Sequence, residues 1–167
     1  MSIEITELNL DYEIPDDASS SIVVLPISIE HTLKDQEYVV YAASATSVLK
    51  LLKSNSIPVR LAISETGKIA YQENRSSDWF GPTLLFSSTL LTQNPELLDL
   101  TLNVISSYVY DIFKGKAADP SVRCTFAYLG TAKRKKVHYE GPVSGLSEIP
   151  KIIKELGDEE DDNRGDR

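Results

Sequence analysis

The sequence contains few of the residues from which most catalytic and metal sites are built. It has one cysteine, Cys124, and two histidines, His31 and His138, that lie far apart in the chain. One cysteine excludes an intrachain disulfide and fits a reducing compartment. One thiol and two distant histidines are also too few ligands for a zinc cluster. Any hydroxyl or thiol nucleophile would need one of the two histidines as its base. We therefore predict no catalytic residue, no metal and no cofactor.

Short motifs with a known mechanism are also missing. The chain has no glycine-rich phosphate loop, no dinucleotide fingerprint, no H-E-x-x-H zinc motif and no G-x-S-x-G turn. The stretch from Gly141 to Gly145 places its serine at the wrong spacing for that turn. We assign no enzymatic activity from the sequence, and the absence of these motifs favours a protein that is not an enzyme.

Long apolar runs are absent as well. The uncharged stretch from Phe80 to Pro95 is 16 residues long and contains Asn94, whereas a bilayer span needs about 20 apolar residues. The first residues lack the basic and then apolar pattern of a signal peptide. We expect a soluble, cytoplasmic protein without membrane contact.

The periodicity of apolar residues predicts an α+β fold in one domain. Alternating or β-branched segments predict strands, and apolar residues spaced by three and four predict helices. The predicted fold is a mostly antiparallel sheet of about six to seven short strands packed against about four helices. The predicted strands are 4–14, 21–29, 38–41, 58–63, 68–71, 122–129 and 135–139, and the predicted helices are 44–53, 82–92, 95–113 and 147–156. The segments 58–63 and 68–71 are predicted to form one hairpin, and 82–113 to form a buried central helical hairpin.

The end of the chain differs in composition from the rest. Residues 158–167 contain six acids and two arginines but no apolar side chain. Such a segment cannot bury enough apolar surface to order itself. We therefore predict a single domain over 1–157 followed by a disordered acidic tail over 158–167.

Charge is distributed unevenly along the chain, which has a net charge of −8. Residues 1–37 carry nine acids and one base, whereas residues 114–140 carry seven bases and two acids. An acidic protein is a poor general ligand for nucleic acid, because phosphate binding needs a positive field. The simplest expectation is that these oppositely charged segments face each other within the fold.

One basic cluster stands at the tip of the predicted late hairpin. It consists of Lys133, Arg134, Lys135 and Lys136, close in sequence to Tyr128 and Tyr139. Basic and aromatic residues on a hairpin can hold RNA or single-stranded DNA. Lysines on an edge strand also prevent edge-to-edge aggregation. Because the whole chain is acidic, we favour a structural role or a contact with a protein partner.

The loop 73–82 is the candidate ligand site. Its candidate residues are Glu73, Arg75, Asp78 and Trp79. Polar groups on a loop beside an aromatic ring are a common way to build a small pocket. In the competing interpretation, Trp79 and Phe80 anchor the loop in the core and Asp78 caps a helix.

Two hypotheses for function follow. The first is a non-enzymatic protein-interaction module, such as a small subunit, adaptor or inhibitor of a larger assembly, with a protein partner or a homo-oligomer and without nucleic acid. It depends on the missing motifs and on the apolar surface of the helix 95–113, part of which could pack on another chain. The alternative is a domain or enzyme that binds a small molecule or nucleotide at the 73–82 loop.

Overall fold

The computed structural model describes residues 1–9, 16–27, 38–62, 68–73 and 77–165, which form eight strands and four α-helices. The strands are β1 (Ser2–Glu7), β2 (Ile22–Leu25), β3 (Tyr38–Ala42), β4 (Val59–Leu61), β5 (Lys68–Gln72), β6 (Trp79–Ser87), β7 (Ser121–Leu129) and β8 (Arg134–Pro142). The helices are α1 (Ala45–Ser54), α2 (Ser88–Gln93), α3 (Leu97–Ile112) and α4 (Ile149–Gly165). Two 3-10 helices, Asp16–Ser19 and Val143–Glu148, complete the described elements.

The main sheet has six strands in the order β1-β8-β7-β6-β2-β4, and β3 pairs with β5 in a small second sheet. The predicted α+β class is confirmed. The sheet is mixed rather than mostly antiparallel, because β2 with β4, β6 with β7 and β3 with β5 are parallel pairs. Helix α1 follows β3 and returns the chain to β4, and α2 and α3 return it from β6 to β7. Because the helices carry the chain back across the sheet, β4 runs parallel to β2, and β7 runs parallel to β6.

The predicted hairpin of 58–63 with 68–71 does not form. Strand β4 pairs with β2 in the main sheet, whereas β5 pairs with β3 in the small one. Both segments are strands, so the prediction of their type is right and that of their pairing is wrong. Residues 63–67, the predicted turn, lie outside the described residues, as do 10–14 of the first predicted strand and 28–29 of the second.

The predicted helical hairpin over 82–113 is helical from Ser88 onward, but its first residues belong to a strand. Residues Trp79–Ser87 form β6, an interior strand, and the helix α2 begins at Ser88. Gly81 and Pro82 look like a helix start in the sequence, but they lie at an irregularity of β6 between Phe80 and Thr83. A bulge is a place where a sheet tolerates proline, and a short buried apolar run cannot be assigned to helix or strand by periodicity.

The acidic segment at the end of the chain is helical as far as the structure describes it. Helix α4 continues through Gly165, whereas composition alone predicts a disordered tail from residue 158; the division of the chain into a domain and a tail stays a prediction. Glu160 is 5% exposed, which shows that part of this segment packs against the fold. Residues 166–167 lie outside the described residues.

The main core lies between one face of the large sheet and the helices. Alternate residues of the sheet pack against apolar side chains of α1, α3 and α4 in one cluster. Helix α3 contributes Leu98, Leu102, Ile105 and Val109, which are at most 3% exposed. No helix in the described part of the chain is long and apolar enough to cross a bilayer.

The opposite face of the sheet is apolar at one end and polar at the other. Leu8 and Ala18 pack there against Val23, Leu25 and Leu85. Residues directly opposite each other in paired strands share a face, so the registers place Arg123, Thr125, His138 and Glu140 together on the polar part.

Candidate functional site

The described residues of the predicted 73–82 site contact other parts of the fold. Asp78 accepts a hydrogen bond from Nε of Arg123 at 3.2 Å. The ring of Trp79 packs edge-on against that of Tyr108, with centroids 6.4 Å apart. Glu73 is exposed, and Arg75 lies outside the described residues. Because these contacts run to α3 and β7 and do not converge on one space, ligand binding at this loop stays a prediction.

The basic cluster at the β7–β8 turn is matched by acids from both ends of the chain. Lys133 Nζ lies 3.0 Å from a carboxylate oxygen of Glu159, and Lys135 forms an ion pair with Glu7 on β1. Arg134 is exposed. These pairs bring acidic segments against the basic one, as the charge distribution leads us to expect. They also reduce the positive field that binding of nucleic acid requires.

A row of polar side chains crosses the open face of β6, β7 and β8. Arg123 bridges Asp78 and Glu140, and its guanidinium lies 5.2 Å from the centroid of the Phe80 ring. Glu140 in turn lies 3.1 Å from Nε2 of His138. The hydrogen bond with His138, and secondly the charge of Arg123, lower the pKa of Glu140 below its ordinary value. Apart from His138, the row contains one cation, Arg123, and two carboxylates, Asp78 and Glu140.

Thr125, His138 and Glu140 stand in the order hydroxyl, imidazole and carboxylate. Thr125 Oγ1 is 2.9 Å from His138 Nδ1, on the opposite side of the ring from Glu140. A carboxylate only accepts, so Nε2 donates to Glu140, and in the neutral ring Nδ1 accepts from the Thr125 hydroxyl. Catalysis by this hydroxyl would also need a donor that stabilises an oxyanion beside Thr125. The order of groups alone does not assign catalysis.

Strand β1 is an edge strand of the large sheet. It pairs with β8 on one side, and Leu8 N donates to Arg134 O. Backbone groups alternate in direction along a strand, so the N–H and C=O of Ile3, Ile5 and Glu7 point away from β8. Ile5 is 47% exposed at this edge. Sequence patterns predict the strand but not its place in the sheet, so this feature is absent from the sequence-based site.

A cavity of about 570 Å³ lies between α2, α4 and the end of β7. Leu91, Leu98, Ile153 and Tyr128 supply apolar walls, and Glu160 lies among the polar lining residues. The sequence gives no signal for this cavity, because its walls come from four separated segments. None of the predicted site residues lines it.

Cys124 has no chemical role that the structure supports. It is buried, and burial raises the pKa of its thiol to about 12. A thiol with so high a pKa is a poor nucleophile at neutral pH. This agrees with the interpretation of Cys124 as a small core residue.

Comparisons of the chain with protein-family models, with curated proteins and with solved structures found no match. The candidate sites are therefore ranked by their own geometry alone. Within the part of the chain that the structure describes, we consider two features further as binding sites: the outer edge of β1 and the cavity beside α4.

Proposed function

We propose that this protein is an interaction module that docks a protein partner by accepting a strand along the outer edge of β1. The observation that carries the proposal is the row of backbone groups at Ile3, Ile5 and Glu7 that point away from β8. An exposed strand edge is a template for pairing with another chain. Added strands gain main-chain hydrogen bonds, and side-chain contacts make the pairing specific.

The side chains of β1 favour this role. Ile5 is 47% exposed, and Met1 is 76% exposed beside the start of the strand. Soluble proteins commonly protect a sheet edge with proline, lysine or a very short strand. Strand β1 has six residues and neither proline nor lysine, whereas β4 at the opposite edge has only three residues.

Helix α3 contributes less to docking than its sequence suggests. Most of its apolar residues lie in the protein's own core, and its exposed large apolar residues are Leu100, Tyr110 and Ile112. The expectation of an apolar docking face on 95–113 therefore lends little support, and the proposal is placed at β1. A cytoplasmic location is part of the proposal, and the single, buried Cys124 supports it.

The test compares three tagged baits: the wild type, Ile5→Pro and Ile5→Val. Proline at position 5 removes an N–H that points outward, so it blocks the edge without removing a hydrogen bond to β8. Valine keeps the N–H and a β-branched side chain, and so is the matched control. Each bait is purified from its own host, and mass spectrometry identifies the eluted proteins while light scattering gives the mass of the complex.

We expect the wild type and Ile5→Val to elute in a stoichiometric complex and Ile5→Pro to elute as a monomer. Circular dichroism and thermal melting of Ile5→Pro should show a folded protein. An unchanged complex with the proline variant would show that the partner docks elsewhere. A wild type that elutes as a clean monomer would contradict the interaction function itself.

A further inference from the structure

We infer that the cavity beside α4 binds a small organic amine, with the cationic nitrogen at Glu160 and an apolar body against the cavity walls. This site is separate from the β1 edge and does not depend on the proposed docking function. Its volume of about 570 Å³ falls within the roughly 300–1,000 Å³ of small-molecule pockets.

The cavity occupies a favourable place in the topology. Strands β6 and β7 are parallel neighbours that end at Ser87 and Leu129. The cavity lining includes Ser88, the first residue after β6, and Tyr128 and Thr131 on either side of the end of β7. In open sheets with parallel strands, ligands bind in the crevice outside the carboxyl ends of those strands. The position of the cavity agrees with that rule.

The apolar walls of the cavity are fixed by the core. Leu98 and Ile153 are each 1% exposed and Tyr128 is 2% exposed, so their positions are determined by packing behind them. Leu91 is half-buried and also packs against the core cluster. The buried side chains fix the floor of the cavity, and a ring or an alkyl body would pack mainly on more exposed lining residues such as Leu91 and Pro95.

The polar end of the cavity is a buried carboxylate with spare accepting capacity. Glu160 Oε1 accepts the backbone N–H groups of Ala132 and Lys133, at 3.2 and 2.6 Å. Oε2 accepts only the Tyr128 hydroxyl, at 3.0 Å, among its described contacts. Each carboxylate oxygen has about two accepting positions, so these contacts leave one position of Oε2 unused.

The charge of the lining selects a cation over an anion. Asp158 and Glu160 are acidic, and the basic residue of the lining, Lys154, lies 3.3 Å from a carboxylate oxygen of Asp99 on α3. An ammonium group can donate to Oε2, whereas a ligand carboxylate would meet two acids.

The experiment uses three probes with the same indole body: tryptamine, tryptophol and indolepropionate. They carry a cationic, a neutral and an anionic end, so their affinities separate the role of charge from that of the apolar body. Each is titrated into the full-length protein while amide shifts are followed by two-dimensional NMR. We expect tryptamine to shift the amides of Leu91, Thr131 and Gly157 and to bind about tenfold more tightly than tryptophol.

Two variants locate the binding. Thr92→Trp fills the cavity from an exposed lining position and should abolish the shifts, whereas Asn103→Trp adds the same bulk on an exposed part of α3 outside the lining and should not. Glu160→Gln should reduce the preference for tryptamine over tryptophol about tenfold if it folds. Equal binding of the three probes, no shifts at the lining amides, or unchanged tryptamine binding in Thr92→Trp would each overturn the inference.

Discussion

The Tyr128 hydroxyl donates a hydrogen bond of 3.0 Å to Glu160 Oε2, and this contact joins the end of β7 to α4. The other oxygen of Glu160 accepts the amides of Ala132 and Lys133, which belong to the turn between β7 and β8. One carboxylate thus satisfies three donors at a buried position. The helical order of the acidic segment around it follows from this contact rather than from composition.

Glu160→Ala should lower the free energy of unfolding by about 3 kcal/mol or more, because it leaves three donors without their acceptor. Glu160→Gln keeps the shape and one carbonyl oxygen, so it should cost about 1–2 kcal/mol. Urea denaturation followed by circular dichroism measures both. The control is Glu159→Ala, whose exposed ion pair with Lys133 should contribute less than about 1 kcal/mol. Equal losses for Glu159→Ala and Glu160→Ala would show that the buried contacts do not stabilise the fold.

At Gly130 the turn passes close to the carboxylate of Glu160. A Cβ at residue 130 would collide with the Glu160 carboxylate, so Gly130→Ala should destabilise the wild type by about 1–3 kcal/mol. The collision disappears when the carboxylate is removed. In the Glu160→Ala background the same substitution should therefore cost much less, and a double-mutant cycle in urea measures the difference. Additive losses would mean that the two residues do not interact.

Asp119, which comes just before β7 in the chain, provides a test of how a hydrogen bond changes the pKa of a carboxyl group. The Ser144 hydroxyl donates to Asp119 Oδ2 at 2.7 Å and the Ser144 amide donates to Oδ1 at 3.2 Å. The hydroxyl contact is the main reason that the pKa of Asp119 lies below its ordinary value. Ser144→Ala should therefore raise the pKa of Asp119, which a carboxyl-detected NMR titration measures.

The sign of the linked stability follows from the lowered pKa. A carboxyl group with a lower pKa in the folded state stabilises the fold above its unfolded pKa of about 3.9, and this contribution is lost as pH falls through the folded value. The stability difference between wild type and Ser144→Ala should therefore be full at neutral pH and shrink below about pH 4. A difference that stays constant into that range would contradict the role of the Ser144 hydroxyl.

Sequence patterns predict the local elements well but not the long-range pairing. The β7–β8 hairpin and the helices α1 and α3 follow from alternation, turn residues and three-to-four spacing, all of which are local signals. The parallel neighbours β6 and β7 are separated by two helices, so no local signal reports their pairing. The same limit applies to both binding features. The edge position of β1 depends on the order of six strands, and the cavity needs α4 to fold back on the β7–β8 turn.

The contact of His138 with Thr125 depends on the register of the β7–β8 hairpin. The two residues are opposite each other because Leu129 pairs with Arg134, which leaves a four-residue turn over 130–133. Counting outward from the predicted three-residue turn 130–132 would instead place Val137 opposite Thr125. The sequence pattern places His138 on an exposed strand face, but its hydrogen bonds with Thr125 and Glu140 become visible only with the register.

Pairing of β1 with a second copy of itself would provide the simplest partner strand. A register centred on Ile5 pairs the outward-pointing backbone groups of Ile3, Ile5 and Glu7 with those of the second copy, and it opposes no like charges. When Ile5 lies opposite Ile5 of the second copy, Glu4 faces Thr6 and Ile3 faces Glu7, so no like charges are opposed. When Glu4 lies opposite Glu4, two carboxylates meet directly, which destabilises a strand pair. We therefore expect a two-fold antiparallel pair centred on Ile5.

A disulfide across the two-fold axis tests this register. Opposed residues whose backbones bond to each other have Cα atoms about 5.5 Å apart, which suits a disulfide, so Ile5→Cys should form a covalent dimer under mild oxidation with copper phenanthroline. Glu4→Cys is the control, because two strand positions separate it from its copy in the expected register. The native Cys124 is buried, with a thiol pKa of about 12, and should not compete. Non-reducing electrophoresis measures the dimer, and stronger crosslinking at position 4 than at position 5, or none at either, would show that β1 does not pair in this way.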